Sequence, residues 1–232
     1  MDRDPYSEGV LPAKQLRSQR RRRAILDAAN RLVEGLGYER MKMEDIAAEA
    51  NSSVGTLYQR FRDKDGLLDA LVGERLARMA ERVDREITLE ALGGGDRRHA
   101  IRCVTALIVE FFRDNPGFVR AVVARHLGEK EAFSPLRPVA QKTVSRAWDF
   151  YGRLWPEEAN EAVRARFRFG FQIVLSTCSN AVLNRPGPIL IDDPVMPDML
   201  ADTVLAVMSS GTLPIDRATI APVPDGDGSG ET

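Results

Sequence analysis

Residues 43–64 read MEDIAAEANSSVGTLYQRFRDK, a stretch that predicts two short helices joined by a tight turn. The apolar residues of the first helix have the i, i+3, i+4, i+7 spacing of one buried face: Met43, Ile46, Ala47 and Ala50. The turn is Asn51-Ser52-Ser53, and Ser53 is a natural N-cap for the second helix. Leu57 and Phe61 share the inner face of that helix at i, i+4. This arrangement is typical of a helix-turn-helix unit.

The outer face of the second helix carries the polar side chains of this unit. In helix-turn-helix proteins that face enters the major groove of DNA, which is about 12 Å wide. Gln59 can pair bidentately with adenine, Arg60 can reach guanine or a phosphate, and Gly55 permits close approach of the backbone. Lys64 begins the next helix, where its ammonium and free backbone amides can together hold a phosphate. The predicted outward set is Val54, Gly55, Thr56, Tyr58, Gln59 and Arg60.

Helical spacing of apolar residues continues through most of the chain, and no strand pattern with hairpin turns competes with it. We therefore predict an all-α protein of about nine helices. The first helix is expected from about Arg20 to Gly35, and the fourth is expected to continue until the glycine run 93–95. Asn115 and Ser134 each precede a proline, which predicts two helix starts with those side chains as caps.

The same pattern divides the chain into four parts. They are a flexible N-terminal arm (1–17), a three-helix helix-turn-helix domain (18–66), a larger C-terminal helical domain (67–211) and a disordered acidic tail (212–232). The last two long helices are expected at about 156–184 and 195–210, since both carry a wide apolar stripe.

The composition is that of an ordinary soluble protein: of 232 residues, 44% are hydrophobic and 29% are charged. No stretch reaches the roughly 18 uninterrupted apolar residues of a membrane-spanning helix, and the first residues lack a signal-peptide pattern. We therefore expect a cytoplasmic protein. Cys103 and Cys178 are too few for a disulfide framework and lie on apolar helices, so each is expected to be a reduced, buried thiol.

Positive charge is concentrated near the N-terminus. Residues 10–64 contain 12 lysines and arginines against 7 acidic residues, whereas residues 65–232 contain 20 against 24. Such asymmetry indicates an end that binds a polyanion. Arg20, Arg21 and Arg22 either contact phosphates or form a solvated helix start. Phosphate contact is favoured, because positive charge at a helix N-terminus opposes the helix dipole and an external anion relieves that cost.

Residues 53–68, SVGTLYQRFRDKDGLL, resemble the recognition-helix signature of the TetR family of transcriptional regulators, with its Gly-Thr-Leu-Tyr core and Phe-x-x-Lys spacing. Upstream, Ile25–Ala29, Gly37-Tyr38 and Asp45–Ala47 resemble the first two helices of that family in the same order and spacing. The rest of the chain is similar to the family in its length and helical layout.

Two positions depart from the family pattern. Asn51 stands where the turn usually has glycine, and asparagine is tolerated there because it adopts a positive φ more readily than other non-glycine residues. The second helix usually begins with a threonine or serine cap, but this chain has Met41-Lys42-Met43. Lys42 can meet a phosphate by its charge instead.

The resemblance implies a homodimer in which each recognition helix reads one half-site of a pseudo-palindromic operator, while the last two long helices of each subunit form the interface. It also implies that an effector in the C-terminal helical domain shifts the fourth helix and lowers the affinity for DNA. We therefore predict a ligand-responsive DNA-binding regulator, a repressor that a small hydrophobic effector releases. The predicted DNA contacts are Arg20, Arg21, Arg22, Lys42, Ser53, Lys64 and the outward set. The alternative is a helical small-molecule carrier without a DNA-binding role.

Apolar walls with a few polar groups suit a small-molecule pocket. The candidates for it are Phe111, Phe112, His126, Trp148, Phe167 and Phe171. His99 and His126 lack further ligands at helical spacing, so no metal is predicted. The sequence also lacks a nucleophile elbow and a phosphate-binding loop, so we expect neither an enzyme nor a bound cofactor.

Overall fold

A computed structural model describes residues 13–126 and 134–210, and within these ranges the chain forms ten α-helices, one 3₁₀ helix and no strand. The helices are α1 (Ala13–Leu36), α2 (Met43–Glu49), α3 (Val54–Phe61), α4 (Lys64–Glu86), α5 (Leu89–Gly93), α6 (Arg97–Asp114), α7 (Pro116–Arg125), α8 (Arg137–Leu154), α9 (Glu161–Asn184) and α10 (Met196–Ser209), with the 3₁₀ helix at Ser134–Leu136. The predicted fold class is confirmed. None of the helices in the described ranges is long and apolar enough to cross a membrane.

The first three helices form the predicted helix-turn-helix unit, with α1 packed against α2 and α4. Asn51 adopts φ 47° in the turn, as its replacement of glycine predicts. Ser53 caps α3 by accepting a hydrogen bond from the backbone N–H of Thr56 at 3.2 Å. Asp63 caps α4 in the same way, accepting from the N–H of Gly66 at 2.7 Å. These local caps satisfy free backbone N–H groups at the starts of α3 and α4.

Helices α4 to α10 form the larger C-terminal domain. Helix α10 packs against both α6 and α9, while α8 packs against α4. The apolar faces of these helices meet in a core that includes the fully buried side chains of Phe118, Phe167 and Phe171. Because α4 runs on from the helix-turn-helix unit into this core, the predicted domain boundary after residue 66 falls inside one continuous helix.

The N-terminal helix is longer than predicted. It begins at Ala13 rather than near Arg20, so the predicted arm of residues 1–17 overlaps its first turn. The segment after Pro12 contains lysine, glutamine, leucine and arginine, which are good helix formers, and no further proline or glycine until Gly35. Residues 1–12 and the predicted tail at 212–232 lie outside the described residues.

The structure has one helix that the sequence did not predict, the short helix α5. It lies in the segment where one long helix followed by a glycine linker was expected. Helix α4 ends at Glu86, and Thr88 then caps the short helix α5 by accepting from the N–H of Ala91 at 3.1 Å. Asp96 follows the glycine run and caps α6, accepting from the N–H of His99 at 2.9 Å. The described residues therefore contain ten helices, in agreement with the expected count of about nine, and the additional one arises because the chain restarts a helix at a threonine cap.

Three predicted helix starts differ in detail. Asn115 precedes α7 but makes no side-chain cap; its amide instead donates to the carbonyl of Phe111 at 2.7 Å. The segment after Ser134 forms a 3₁₀ helix first, so that α8 begins at Arg137. Helix α9 begins at Glu161 rather than at 156, because Asn160 provides its cap by accepting from the N–H of Val163 at 3.0 Å.

Candidate nucleic-acid interface

Helix α3, the predicted recognition helix, has one buried and one exposed face. Leu57 is fully buried and Phe61 is 7% exposed, so both anchor the helix in the core. On the opposite side, Gly55, Gln59 and Arg60 are exposed and the ring of Tyr58 is 47% exposed. The remaining members of the outward set, Val54 and Thr56, are half-buried. The side chain of Tyr58 is therefore accessible to a binding partner on the polar face of α3.

Ser53 and Thr56 form a small hydroxyl pair at the start of α3. Their Oγ and Oγ1 atoms are 2.8 Å apart, and Ser53 also accepts from the backbone N–H of Thr56. The predicted site residue Ser53 therefore has a structural role as the cap of the recognition helix. One hydroxyl donates within this pair, and the proton of the other can be donated to a phosphate oxygen.

The N-terminal part of α1 lies beside the recognition helix. The Nη2 of Arg60 donates to the hydroxyl of Ser18 at 3.0 Å, which joins α3 to α1 across 42 residues of sequence. Residues 15–24 of α1 are all exposed, and Arg20, Arg21 and Arg22 belong to this segment. The predicted positive charge is thus on an exposed part of α1 near the exposed face of α3, in about the third turn of the helix and not at its N-terminus. The helix dipole therefore gives no reason for phosphate contact at these arginines. Ser18 itself carried no sequence signal.

Lys64 is held at the first residue of α4 by Tyr38. The ammonium Nζ donates to the carbonyl oxygen of Tyr38 at 3.2 Å and lies 4.3 Å from the centre of the Tyr38 ring. The Tyr38 hydroxyl donates to the carboxylate of Asp65. Burial and this hydrogen bond to a carboxylate both raise the pKa of the Tyr38 hydroxyl well above its ordinary value. The ring is therefore a fixed support for Lys64.

Lys42 occupies the N-cap position of α2 and its side chain is exposed. Its side chain makes no cap hydrogen bond to the helix, as expected for an ammonium, which has no acceptor. The first turn of α2 instead contains the acidic residues Glu44 and Asp45, whose negative charges interact favourably with the positive end of the helix dipole. Lys42 is free to extend towards an external anion.

The aromatic candidates for the effector pocket lie in two clusters. Phe111 packs edge-on against Phe112 at 5.7 Å and against Phe118 at 6.4 Å between ring centres. The second cluster contains Trp148, 5.3 Å from Phe167, which is in turn 4.8 Å from Phe171. His126 is the C-cap residue that follows α7, and its Nδ1 lies 2.8 Å from the carbonyl oxygen of Val122.

A small cavity adjoins the second aromatic cluster. Its volume is about 10 Å³, which is about the space that one water molecule needs. Of the six pocket candidates, Phe167 lines this cavity; the other walls are Leu92, Ala100, Ile101, Val104, Ala147 and Tyr151. These walls were not identified from the sequence because the cavity lies between four helices, α5, α6, α8 and α9, which no local motif joins.

The prediction of buried thiols is confirmed for Cys178 and is wrong for Cys103. Cys178 is fully buried and Cys103 is half-buried, and both are free thiols. Burial raises the pKa of the Cys178 thiol to about 12 and raises that of Cys103 as well. A thiol with a raised pKa is a poor nucleophile at neutral pH, which favours a packing role.

Comparison with known proteins agrees with this geometry. The family model of the tetR family of bacterial regulatory proteins matches residues 25–71. The chain is 39% identical over 134 residues to the HTH-type transcriptional repressor Rv1474c of Mycobacterium tuberculosis, an alignment that covers 56% of this chain and 70% of the relative. It is 32% identical over 116 residues to the HTH-type transcriptional repressor KstR of Mycolicibacterium smegmatis, covering 50% of this chain.

The chain spans 54% of the length of that KstR relative, so the likeness there is partial. Among solved structures, a Mesorhizobium loti protein assigned to the TetR-family transcriptional regulators superimposes with a TM-score of 0.62 at 16% identity. The superposition covers 83% of this chain and 96% of the other, which extends the shared fold through the C-terminal helices. From its matched N-terminal segment, its relatives and its fold, this chain belongs to the TetR family of bacterial regulatory proteins.

Proposed function

We propose that this chain is a ligand-responsive DNA-binding regulator, a homodimer that represses from a pseudo-palindromic operator until a small hydrophobic effector releases it. The observation that carries the proposal is the exposed face of α3, with Tyr58 47% exposed above the buried anchor Leu57. Arg60 extends this face towards the exposed arginines of α1 through its hydrogen bond to Ser18. A polar helix face bordered by positive charge suits the major groove and its flanking phosphates.

Two further features support a regulator rather than a helical carrier. The two relatives described above are both named as transcriptional repressors. In addition, Lys64 and Lys42 place positive charge at the starts of α4 and α2, and helix N-termini are favourable positions for phosphate. A carrier has no need of positive charge at helix ends beside an exposed recognition face.

The effector proposal is supported by the apolar interior of the C-terminal domain. Helix α6 buries eight of its residues and lies between α9, α10 and the other helices of that domain. Phe111, Phe112, His126, Trp148, Phe167 and Phe171 remain the proposed pocket residues, with the cavity beside Phe167 as the starting point for a larger opening. A ligand entering there must displace apolar side chains, which favours a hydrophobic effector.

One experiment tests the regulator directly: selection of bound duplexes from a random DNA pool with the full chain. A regulator of this kind is expected to enrich a sequence with twofold symmetry, and its affinity should fall steeply as salt rises. A carrier is expected to enrich no sequence. Thermal shift across a panel of apolar compounds then tests the effector, because a ligand that binds only the folded state raises the unfolding midpoint.

A further inference from the structure

The last residue of α7 contacts the first turn of α4, which directly follows the helix-turn-helix unit. The Nε of Arg125 lies 3.4 Å from the Oδ2 of Asp65, the second residue of α4. The Nε of Arg125 is buried and has no hydrogen-bond partner. The nearby carboxylate of Asp65 therefore compensates the positive charge of the Arg125 guanidinium. Asp65 directly follows Lys64 in the sequence.

The carboxylate of Asp65 is also linked to Lys64 through hydrogen bonds that both residues make with Tyr38. Asp65 Oδ1 accepts from the hydroxyl of Tyr38, and the carbonyl oxygen of Tyr38 accepts from the Nζ of Lys64 at 3.2 Å. Arg125, Asp65, Tyr38 and Lys64 therefore form one connected series, which we name the Lys64 support. It begins on α7, outside the segment that matches the family model, and ends at a proposed phosphate contact.

We propose that Arg125 is a positioning residue for the phosphate contact of Lys64, an inference that rests on the proposed DNA-binding function. Arg125 neutralises the carboxylate of Asp65 and keeps it on the Tyr38 hydroxyl, so that Tyr38 stays in place beneath the Lys64 ammonium. Without Arg125, the carboxylate beside Lys64 is uncompensated. It then competes with phosphate for the ammonium and repels the DNA backbone.

The salt dependence of DNA binding tests this role. The probe is a fluorescently labelled random-sequence duplex, because phosphate contacts contribute to binding whatever the base sequence. Arg125→Ala is expected to lower the affinity at low salt roughly tenfold, the effect of losing about one charge-assisted hydrogen bond. The slope of log affinity against log salt should also become shallower by about 0.9, the value for one phosphate contact.

Arg146 provides a control that is matched in side-chain exposure and ion-pair distance, and it also donates to the backbone carbonyls of Ile87 and Asp84. Its side chain is 32% exposed and its Nη1 lies 3.5 Å from Asp84, and Arg125 is also 32% exposed with a pair distance of 3.4 Å. Asp84 lies near the opposite end of α4 from Lys64. Arg146→Ala is therefore expected to keep the wild-type salt slope, while Arg125→Lys, which retains the charge, should keep most of it. If Arg125→Ala fails to fold, as judged by circular dichroism, Arg125→Gln takes its place with the same expectation.

A double-variant cycle separates positioning from direct contact of Arg125 with DNA. In the Asp65→Asn background no carboxylate needs compensation, so adding Arg125→Ala should leave the salt slope unchanged. A further loss of slope in that background overturns the inference, because Arg125 would then contact DNA itself. An unchanged slope in Arg125→Ala alone, in a wild-type protein that binds DNA, also overturns it and leaves the proposed function intact. Failure of the wild-type protein to bind any duplex overturns both.

Discussion

Tyr58 and Arg60 are the two residues of α3 whose removal tests the reading face most directly. Tyr58 is 47% exposed and Arg60 is exposed beside Ser18, so neither supports the core. Tyr58→Ala and Arg60→Ala are each expected to weaken binding to a selected operator by about 1–3 kcal/mol, the usual value of a specific contact.

Fluorescence anisotropy measures the affinity of these variants for the operator, and sedimentation should show that their oligomeric state is unchanged. Glu157→Ala, an exposed change between α8 and α9, is the control. Wild-type affinity in both α3 variants would discredit the proposed face.

Hydrogen bonds between residues that are close in the sequence were predictable, whereas hydrogen bonds between residues that are far apart in the sequence were not. Ser53 caps an N–H three residues away, and the positive φ of Asn51 follows from its position in the turn. By contrast, Ser18 meets Arg60 across 42 residues and Lys64 meets Tyr38 across 26. A cap has a local pattern of spacing, but a long-range hydrogen bond exists only after the helices have packed.

Helix α7 begins with a cap supplied by a different helix. The Oε2 of Glu34 on α1 accepts from the N–H of Gly117 at 2.6 Å, and its Oε1 accepts from that of Phe118 at 3.1 Å. A carboxylate at this position satisfies two free donors and favours the positive end of the helix. Glu34→Ala is therefore expected to lower the free energy of unfolding by about 1–2 kcal/mol, the usual effect of losing an N-cap.

Chemical denaturation measures this effect, with Glu39→Ala as the control because Glu39 is exposed in the turn after α1. Glu34→Gln retains one acceptor oxygen and is expected to lose less than Glu34→Ala. Equal stability of Glu34→Ala and the control would show that the cap adds nothing measurable. No sequence pattern identifies Glu34 as this cap, since its partner helix begins more than 80 residues later.

The break between α4 and α5 shows why apolar spacing alone misplaced an element. Ile87 follows the last residue of α4 and is 2% exposed, while Leu92 on α5 is also 2% exposed. Both sides of the break therefore bury apolar residues in one core, and the periodicity continues across it. Only Thr88, with its β-branched side chain and cap hydrogen bond, signals the new start. Helix positions were thus predictable, and their exact ends depended on caps.

Tyr151 connects α8 to the turn before α9 and carries a pH-dependent contribution to stability. Its hydroxyl donates to the Oε2 of Glu158 at 3.0 Å, and burial is the main reason why the pKa of Tyr151 is raised to about 12 from its ordinary 10.0. Because the folded pKa is the higher one, this contribution is complete below pH 10 and is lost as pH rises towards 12.

Tyr151→Phe removes the ionisable hydroxyl and leaves the ring. The excess stability of the wild-type protein over Tyr151→Phe is expected to be constant below about pH 10 and to decrease from there to about pH 12. Urea denaturation of both proteins at several pH values measures this difference, and the comparison cancels other groups that titrate in the same range. A difference that stays constant up to pH 12 would contradict the raised pKa.

For the whole molecule, the sequence predicted the helix-turn-helix unit better than the walls of the cavity beside Phe167. The helix-turn-helix unit packs around short, adjacent helices whose spacing is visible in the chain. The cavity beside Phe167 instead draws its walls from segments as far apart as Leu92 and Ala147. Aromatic residues on different apolar helices can end in separate clusters, as Phe111 of α6 and Trp148 of α8 do, because helix packing decides which faces meet.

The proposed dimer surface is the exposed face of α9 and α10, two helices that pack together. Phe169 on α9 is 43% exposed and Met199 on α10 is 48% exposed, which are large fractions for such side chains. Phe169→Glu and Met199→Glu are expected to convert the dimer to a monomer, because each places a charge in a proposed apolar interface. Leu89→Glu is the control, since Leu89 is 42% exposed on α5. Sedimentation velocity should show monomers for the first two variants and a dimer for the control.

The two monomeric variants should also bind an operator with two half-sites more weakly than the wild-type protein does. A dimer gains affinity by binding both half-sites at once, and a monomer binds one half-site without that gain. A dimer in both variants would place the interface elsewhere.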